Sequence, residues 1–447
     1  MKPSARDLAR KVLLRVGQGA YASLALSAEL SRARLNDADA SLATELVYGA
    51  LKRRLRLDRA LAALAPRGID GIDAQVLDVL RLAALQILFL RIPDHAAVDD
   101  AVEAIKRLRS PRLAGFANAL LRRLAREGEP ALPDPADVAA RLEAEHSTPR
   151  WLVDDLVGRL GAEQAGAVME AWNRPAPTWL RSNFARTTRE ALAAAIAAER
   201  PRAEAGYPPP PLTPAAPAAL SFQRAGDLSA TRPFAAGWFT AQDLGAQLVG
   251  HLVDPRPGER LLDACAGVGG KATHLFELTG GAAHIDAADL SARKLQLGAD
   301  TAHRLGADAI RFIEADLTSS SAALGDDYDR VLCDAPCSGL GVLRRHPELK
   351  WRRTAAEVTA LATLQARLLD ALCRRVRPGG LLVYSVCTFT DEEGRRQTED
   401  FLARHPAFSI EPPPATLSSL LCPDGAIRTW PHRDDADAFY AVRLRRR

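Results

Sequence analysis

Apolar residues return at helical spacing through the first part of the chain. Ala5, Leu8, Ala9, Val12, Leu13 and Val16 share one helical face, with Ser4 and Asp7 in a capping-box arrangement ahead of them and Gly17 as a stop. The spacing recurs at Val76, Leu77, Leu80, Ala84, Ile87 and Leu88, at Val98, Ala101, Val102, Ile105 and Leu108, and at Phe116, Leu120, Leu121 and Leu124. A stripe on each of several consecutive helices needs the others to bury it, which predicts an all-α helical bundle over residues 1–130.

Pro130, Pro133 and Pro135 break this pattern, and a small α/β connecting segment is expected over 136–235, with a strand at 178–183. Seven prolines within 201–217 cannot sustain a helix or a central strand, so that stretch reads as a linker or long surface loop. From residue 236 to 447, short strand-like runs (260–265, 284–289, 309–316, 329–334, 381–386, 439–444) alternate with helical stretches. That alternation predicts a doubly wound, Rossmann-like parallel sheet whose ligand crevice lies at the carboxyl ends of its strands. Asp263, Asp289, Asp316 and Asp334 stand at or near four such ends and are expected around one cleft.

Charge sharpens the division. The whole chain of 447 residues carries a net +4, but residues 1–130 hold 22 Lys+Arg against 15 Asp+Glu, so the basic part is the helical one, as suits a module that grips a polyanion. No apolar run approaches the ~20 residues of a membrane-spanning helix, and the start lacks a signal peptide's apolar stretch, so no membrane association and a cytoplasmic location are expected. All six cysteines fall at or after residue 265 without a CxxC pair, which reads as free thiols and no metal site.

Cys265-Ala266-Gly267-Val268-Gly269-Gly270-Lys271 follows the first strand of the sheet and opens a helix. Small residues there let backbone approach a ligand, and Asp289 ends the next strand, where an acid can accept from ribose hydroxyls. Asp316 is placed to meet an adenine amine. The loop is neither a Walker loop nor a full GxGxxG pattern, so an adenosyl ligand without a pyrophosphate, such as S-adenosylmethionine, fits it better.

Asp334-Ala335-Pro336-Cys337-Ser338-Gly339 and Ser385-Val386-Cys387-Thr388 put two thiols at the ends of two further strands, beside an acid. Cys333 and Cys373 read as packing residues. Methyl transfer needs a thiol when the acceptor is carbon-5 of a pyrimidine: addition of sulfur to carbon-6 makes carbon-5 nucleophilic, a base removes the carbon-5 proton, and the thiol leaves. Asp334 could accept from a cytosine amino group.

At these residues the chain resembles the RsmB (Sun/Fmu) type of bacterial 16S rRNA cytosine-5 methyltransferases, over nearly its whole length. Glu45-Leu46-Val47-Tyr48-Gly49, 91–98 and 115–123 look like that family's NusB-like RNA-binding domain, and 149–152 and 179–183 like its middle segment. Cys337, Arg344-Arg345-His346-Pro347-Glu348 and Cys387 look like its class I methyltransferase domain. The resemblance implies Cys387 as the nucleophile, Cys337 in proton removal or product release, and S-adenosylmethionine on Cys265 to Lys271, Asp289, Asp316 and Asp334. It implies 16S rRNA as the partner; no obligate protein partner is evident. DNA cytosine-5 enzymes use the Cys of a Pro-Cys pair, which Pro336-Cys337 also is, so that arrangement stays open, as do another RNA target (23S rRNA or tRNA) and a non-catalytic RNA-binding or assembly role. Gly267-Val268, Val386 and Gly394 depart from the family's usual residues, with effects expected on affinity and rate. Arg344, Arg345, His346 and Lys350 are expected to hold RNA phosphates, and a basic cluster at Lys52, Arg53, Arg54, Arg56 and Arg59 is a weaker candidate.

Overall fold

Ser4 and Asp7 start the first helix as their spacing predicts. The Asp7 amide donates to Ser4 Oγ at 3.1 Å, and the Ser4 amide donates to the Asp7 carboxylate at 3.2 Å. The helix, α1 (Ala5–Gly17), buries all six residues of the expected stripe. The structure, a computed structural model, describes residues 3–108, 111–318 and 323–447 and divides into two compact units.

The first unit comprises 1–175 and 343–352. After α1 come α2 (Ala22–Ala33), α3 (Asp37–Lys52), α4 (Arg54–Leu64), α5 (Ala74–Phe89), α6 (Asp94–Arg107), α7 (Pro111–Glu127), α8 (Val138–His146) and α9 (Arg150–Asn173). The most apolar of these, α5, is buried on nearly every side, from Val76 through Gln86. α8 and α9 join this unit because Ser147 fills a gap: its Oγ accepts from the Leu55 amide at 2.8 Å, at the start of α4, whose own N-cap residue Arg53 makes no side-chain cap bond. Residues 136–175 of the segment expected as a connecting domain lie in this unit.

The ten residues 343–352 return to this unit from far along the chain, ending in the single turn α15 (Leu349–Arg352). Glu348 Oε1 accepts from the Ala22 amide at 3.0 Å, at the uncapped start of α2. Lys350 Nζ donates to the carbonyls of Ser147 at 2.9 Å and Lys52 at 3.1 Å, Trp351 Nε1 to that of Leu51 at 2.8 Å, and the Arg352 guanidinium to that of Gly19 at 3.0 Å. Helix ends leave such groups without partners, and this segment satisfies them.

The second unit, 176–342 with 353–447, holds two sheets. β1 (Thr178–Ser182), α10 (Arg189–Glu199), β2 (Glu204–Gly206), β3 (Ala219–Gln223), the turn α11 (Arg232–Ala235) and β4 (Phe239–Ala241) build an antiparallel sheet in the order β2-β3-β1-β4. Leu192 and Ile196 of α10 pack on Leu180, Leu220, Phe222 and Phe239. The proline-rich stretch is not a free linker: it supplies the edge strand β2 and buries Leu212, Ala215 and Ala216. An edge strand needs hydrogen bonds on one side only, and that much the prolines permit.

The larger sheet follows: α12 (Leu244–Val253), β5 (Arg260–Ala264), α13 (Gly270–Leu278), β6 (His284–Asp289), α14 (Ala292–Leu305), β7 (Arg311–Glu314), β8 (Tyr328–Asp334), α16 (Ala355–Leu372), β9 (Val376–Val386), α17 (Arg395–Arg404), β10 (Phe408–Glu411), β11 (Ile427–Thr429) and β12 (Phe439–Arg446). Its order is β7-β6-β5-β8-β9-β12-β10, with β11 also paired to β12. The expected Rossmann-like arrangement is present over the five parallel strands β5 to β9. Beyond them the sheet is mixed: β12 runs antiparallel to β9, and β10 and β11 antiparallel to β12. No α-helix lies between β10 and β12 to carry a parallel crossover, so these strands pair antiparallel. Among the described residues no helix is long and apolar enough to cross a membrane.

Candidate active site

The strand order reverses beside β5, between β6 and β8, which opens a crevice at the strands' carboxyl ends. Cys265 leaves β5 with φ 61, an uncommon conformation for a non-glycine residue that turns the loop back over the sheet. The Ala266 amide donates to the Ala288 carbonyl at 2.8 Å, and the Gly267 amide to Asp289 Oδ2 at 2.9 Å. The other Asp289 oxygen accepts from the Ser291 amide, also at 2.9 Å. One acid thus holds both the loop and the turn after its own strand. Gly269 has φ 74, and a Cβ there would stand 3.2 Å from Gly298 Cα on α14, so glycine suits both the backbone conformation and the close approach of loop and helix.

An adenosyl group fits these residues. A Cβ at Gly267 would meet nothing within 4 Å, so the loop backbone faces open space beside the Asp289 carboxylate. Val268 is 51% exposed on the same loop. Asp263 is wholly buried beneath it, and burial pushes its carboxyl up to about 7. Burial likewise pushes the Cys265 thiol up to about 12, which makes it a neutral packing group. Asp316 lies just past β7, exposed, with its carboxylate accepting from the Thr318 hydroxyl at 2.7 Å and amide at 2.9 Å.

The other strand ends carry the reactive groups. Lys271 Nζ donates to Asp334 Oδ2 at 2.5 Å, and Ser385 Oγ to Asp334 Oδ1 at 2.7 Å. Burial opposes the Lys271 charge, but the Asp334 carboxylate more than offsets it and holds the ammonium above its ordinary range, with Cys387 adding to the effect. The sulfurs of Cys337 and Cys387 lie 3.4 Å apart. That contact with Cys387, together with burial, pushes the Cys337 thiol well above its ordinary value and keeps it protonated. All six cysteines are free thiols, with Cys333 buried in an apolar cluster as expected of a packing residue. Val386 is wholly buried among apolar side chains.

The four residues expected at RNA phosphates are elsewhere. Lys350 is 1% exposed and bonded to two carbonyls, and Arg344 is 8% exposed and donates to the Pro175 carbonyl at 2.6 Å. The His346 ring stands edge-on to Tyr21, centroids 5.3 Å apart. These belong to the segment that completes the helical unit, which corrects their reading as an open phosphate-binding loop; Arg345 is half-buried in the same segment. Sequence reasoning gave no role to Ser385 or to Glu393. The signal for both was position, one two residues before Cys387 and the other six after it.

A sheet that reverses at a glycine-rich loop, with acids and thiols at its strand ends, is the framework of an α/β enzyme that binds its ligand at the strands' carboxyl ends. Residues 250–445 match the family described as 16S rRNA methyltransferase RsmB/F, residues 3–126 the NusB family, and residues 148–226 the RsmF/B-like ferredoxin-like domain. The chain is 32% identical to the probable ribosomal RNA small subunit methyltransferase B of Bacillus subtilis (strain 168), covering 100% of this chain and 99% of that one. It is 34% identical to ribosomal RNA small subunit methyltransferase B of Salmonella paratyphi B over 92% of its own length and 91% of the relative's. The fold is shared with the crystal structure of PH0851 (TM-score 0.84, 24% identity, 99% of each chain) and with NSun6 from Pyrococcus horikoshii solved with SFG (TM-score 0.56, 21% identity, 67% of this chain and 98% of that one). The protein belongs to the RsmB/F family of 16S rRNA methyltransferases, with a NusB helical domain, a ferredoxin-like middle and a C-terminal methyltransferase domain.

Proposed function

We propose that this enzyme makes 5-methylcytosine in 16S rRNA through a covalent bond between Cys387 and carbon-6 of the cytosine. The observation that carries this reading is the pair of thiols in contact, one held protonated, beside a lysine–aspartate pair. The cofactor loop from Cys265 to Lys271, with Asp289, Asp316 and Asp334, would hold S-adenosylmethionine, which supplies an electrophilic sulfonium methyl when bound. The Cys387 sulfur adds to carbon-6, with the Lys271 ammonium within electrostatic reach. Asp334, oriented by Lys271 and Ser385, accepts from the cytosine amino group. Cys337 assists release of the methylated adduct: a base takes the carbon-5 proton, the electron pair of that bond restores the carbon-5–carbon-6 double bond, and the carbon-6–sulfur bond breaks to return the Cys387 sulfur. The basic helical domain delivers the RNA.

The test is transfer of labelled methyl from S-adenosylmethionine to unmodified 16S, 23S and tRNA transcripts by wild type, Cys387→Ala and Cys337→Ala. Label on 16S cytosine, at least about a hundredfold loss in Cys387→Ala, and a covalent protein–RNA adduct in Cys337→Ala are expected. An active Cys387→Ala beside an inactive, adduct-free Cys337→Ala would make Cys337 the nucleophile.

A further inference from the structure

Each thiol is followed directly by a buried hydroxyl residue, Cys337 by Ser338 and Cys387 by Thr388, and the two hydroxyls are hydrogen-bonded at 3.0 Å. Both loops converge on one carboxylate. Glu393 is 0% exposed, and its Oε1 accepts from the Ser338 amide at 2.7 Å and from Gln365 Nε2 at 3.1 Å. Its Oε2 accepts from Ser338 Oγ at 2.5 Å and Thr390 Oγ1 at 3.0 Å. Gln365 Nε2 also donates to the Pro336 carbonyl at 2.9 Å, and the Tyr384 hydroxyl donates to the Glu393 carbonyl at 2.5 Å. The Gly341 amide ties the same loops by donating to the Cys387 carbonyl at 3.0 Å.

Among the described residues no lysine or arginine pairs with this carboxylate. A buried carboxylate without a countercharge is costly, and neutral packing would close the same space more cheaply. What the carboxylate provides is four acceptor directions fixed in one plane, shared between the residue after Cys337 and the loop after Cys387. We propose that Glu393 is a positioning residue that sets the spacing of the two sulfurs and so keeps Cys337 within reach of an adduct on Cys387. The assignment of the adduct rests on the two-thiol reading above; the spacing does not.

Glu393→Gln keeps the volume and the Oε1 acceptor but turns the other oxygen into a donor facing two hydroxyls. The spacing is read by diamide, which takes both protons and the electron pair from two thiols, leaving one disulfide and the hydrazine. In the full-length enzyme, Glu393→Gln is expected to form the Cys337–Cys387 disulfide at least tenfold more slowly than wild type by peptide mass mapping, with S-adenosylmethionine affinity within twofold. With RNA, kcat is expected to fall at least tenfold, with KM within threefold, and a covalent protein–RNA adduct to accumulate. An unchanged disulfide rate overturns the proposal, and so does a slowed rate with unchanged kcat and no adduct. Loss of cofactor affinity in parallel with kcat, without adduct, reduces Glu393 to a structural role and also overturns it. Should Glu393→Gln not fold, Ser338→Ala, which removes only one side-chain donor, takes its place with the same readouts. Methyl transfer by Cys387→Ala would sink the two-thiol reading instead, and the disulfide rate would still decide the spacing.

Discussion

Lys271 stands where burial and a neighbouring acid pull in opposite directions, and the acid prevails. Its substitution therefore removes both a partner that orients Asp334 and a positive charge within electrostatic reach of Cys387. Lys271→Met is expected to lower single-turnover methyl transfer about a hundredfold, with cofactor binding reduced far less; equal losses in both would make Lys271 a cofactor ligand only. Asp263 offers a second test at this scale. Its carboxyl, about 7 in the folded protein and 3.8 ordinarily, keeps a proton that the unfolded chain gives up. Its contribution to stability is full below the unfolded value and is lost as pH rises through about 7. Thermal melts of Asp263→Asn between pH 5 and 7 should show a flatter dependence than wild type. The motif at 265–271 made the loop legible in the sequence; the buried acid beneath it was legible only as a strand end, because burial is a property of what packs around it.

The helices were the most legible elements, since a stripe such as Ala5 to Val16 requires one period and one burial direction. Short strands were not: β2, β4 and β11 have three residues each, too few for alternation to show, and exist because neighbours pair with them. Helix ends carry the next predictions. Burial pulls Lys350 down to about 7 from 10.5, so the unfolded chain binds a proton that the folded one lacks, and this unit should gain stability as pH rises from 7 toward 10. Lys350→Met should flatten that rise and cost about 1–3 kcal/mol through the two carbonyls left unpaired, read by melting at pH 7 and 9. In the turn after the Cys337 loop, a Cβ at Gly341 would stand 2.0 Å from the Ala438 carbonyl oxygen. Gly341→Ala should cost roughly 1–3 kcal/mol and lower activity together with the Cys337–Cys387 disulfide rate.

The molecule's three family segments appear in the sequence in order, each with its own motifs, and the basic helical part is visible from charge alone. What the linear order conceals is that ten residues between β8 and α16 belong to the helical unit. Arg344-Arg345-His346 reads as a phosphate-binding loop because exposure is the default for charged residues; Arg344 is instead held by a carbonyl. Arg344→Ala is therefore expected to lower the melting temperature while leaving the salt slope of RNA binding unchanged. A slope reduced by about one would return this arginine to the RNA interface.

Those ten residues also bear on how such a protein can be inherited. The chain passes between its units after residues 175, 342 and 352, so no single cut separates them. A recombination joining the first 175 residues of one parent to the remainder of another would give the helical unit a foreign Glu348, Lys350, Trp351 and Arg352. Chimeras that carry residues 343–352 from the parent of the helices should keep that unit's native melting behaviour, and crossovers ignoring this should not. The helical and methyltransferase parts are thus compelled to travel together, as one heritable unit rather than two exchangeable modules.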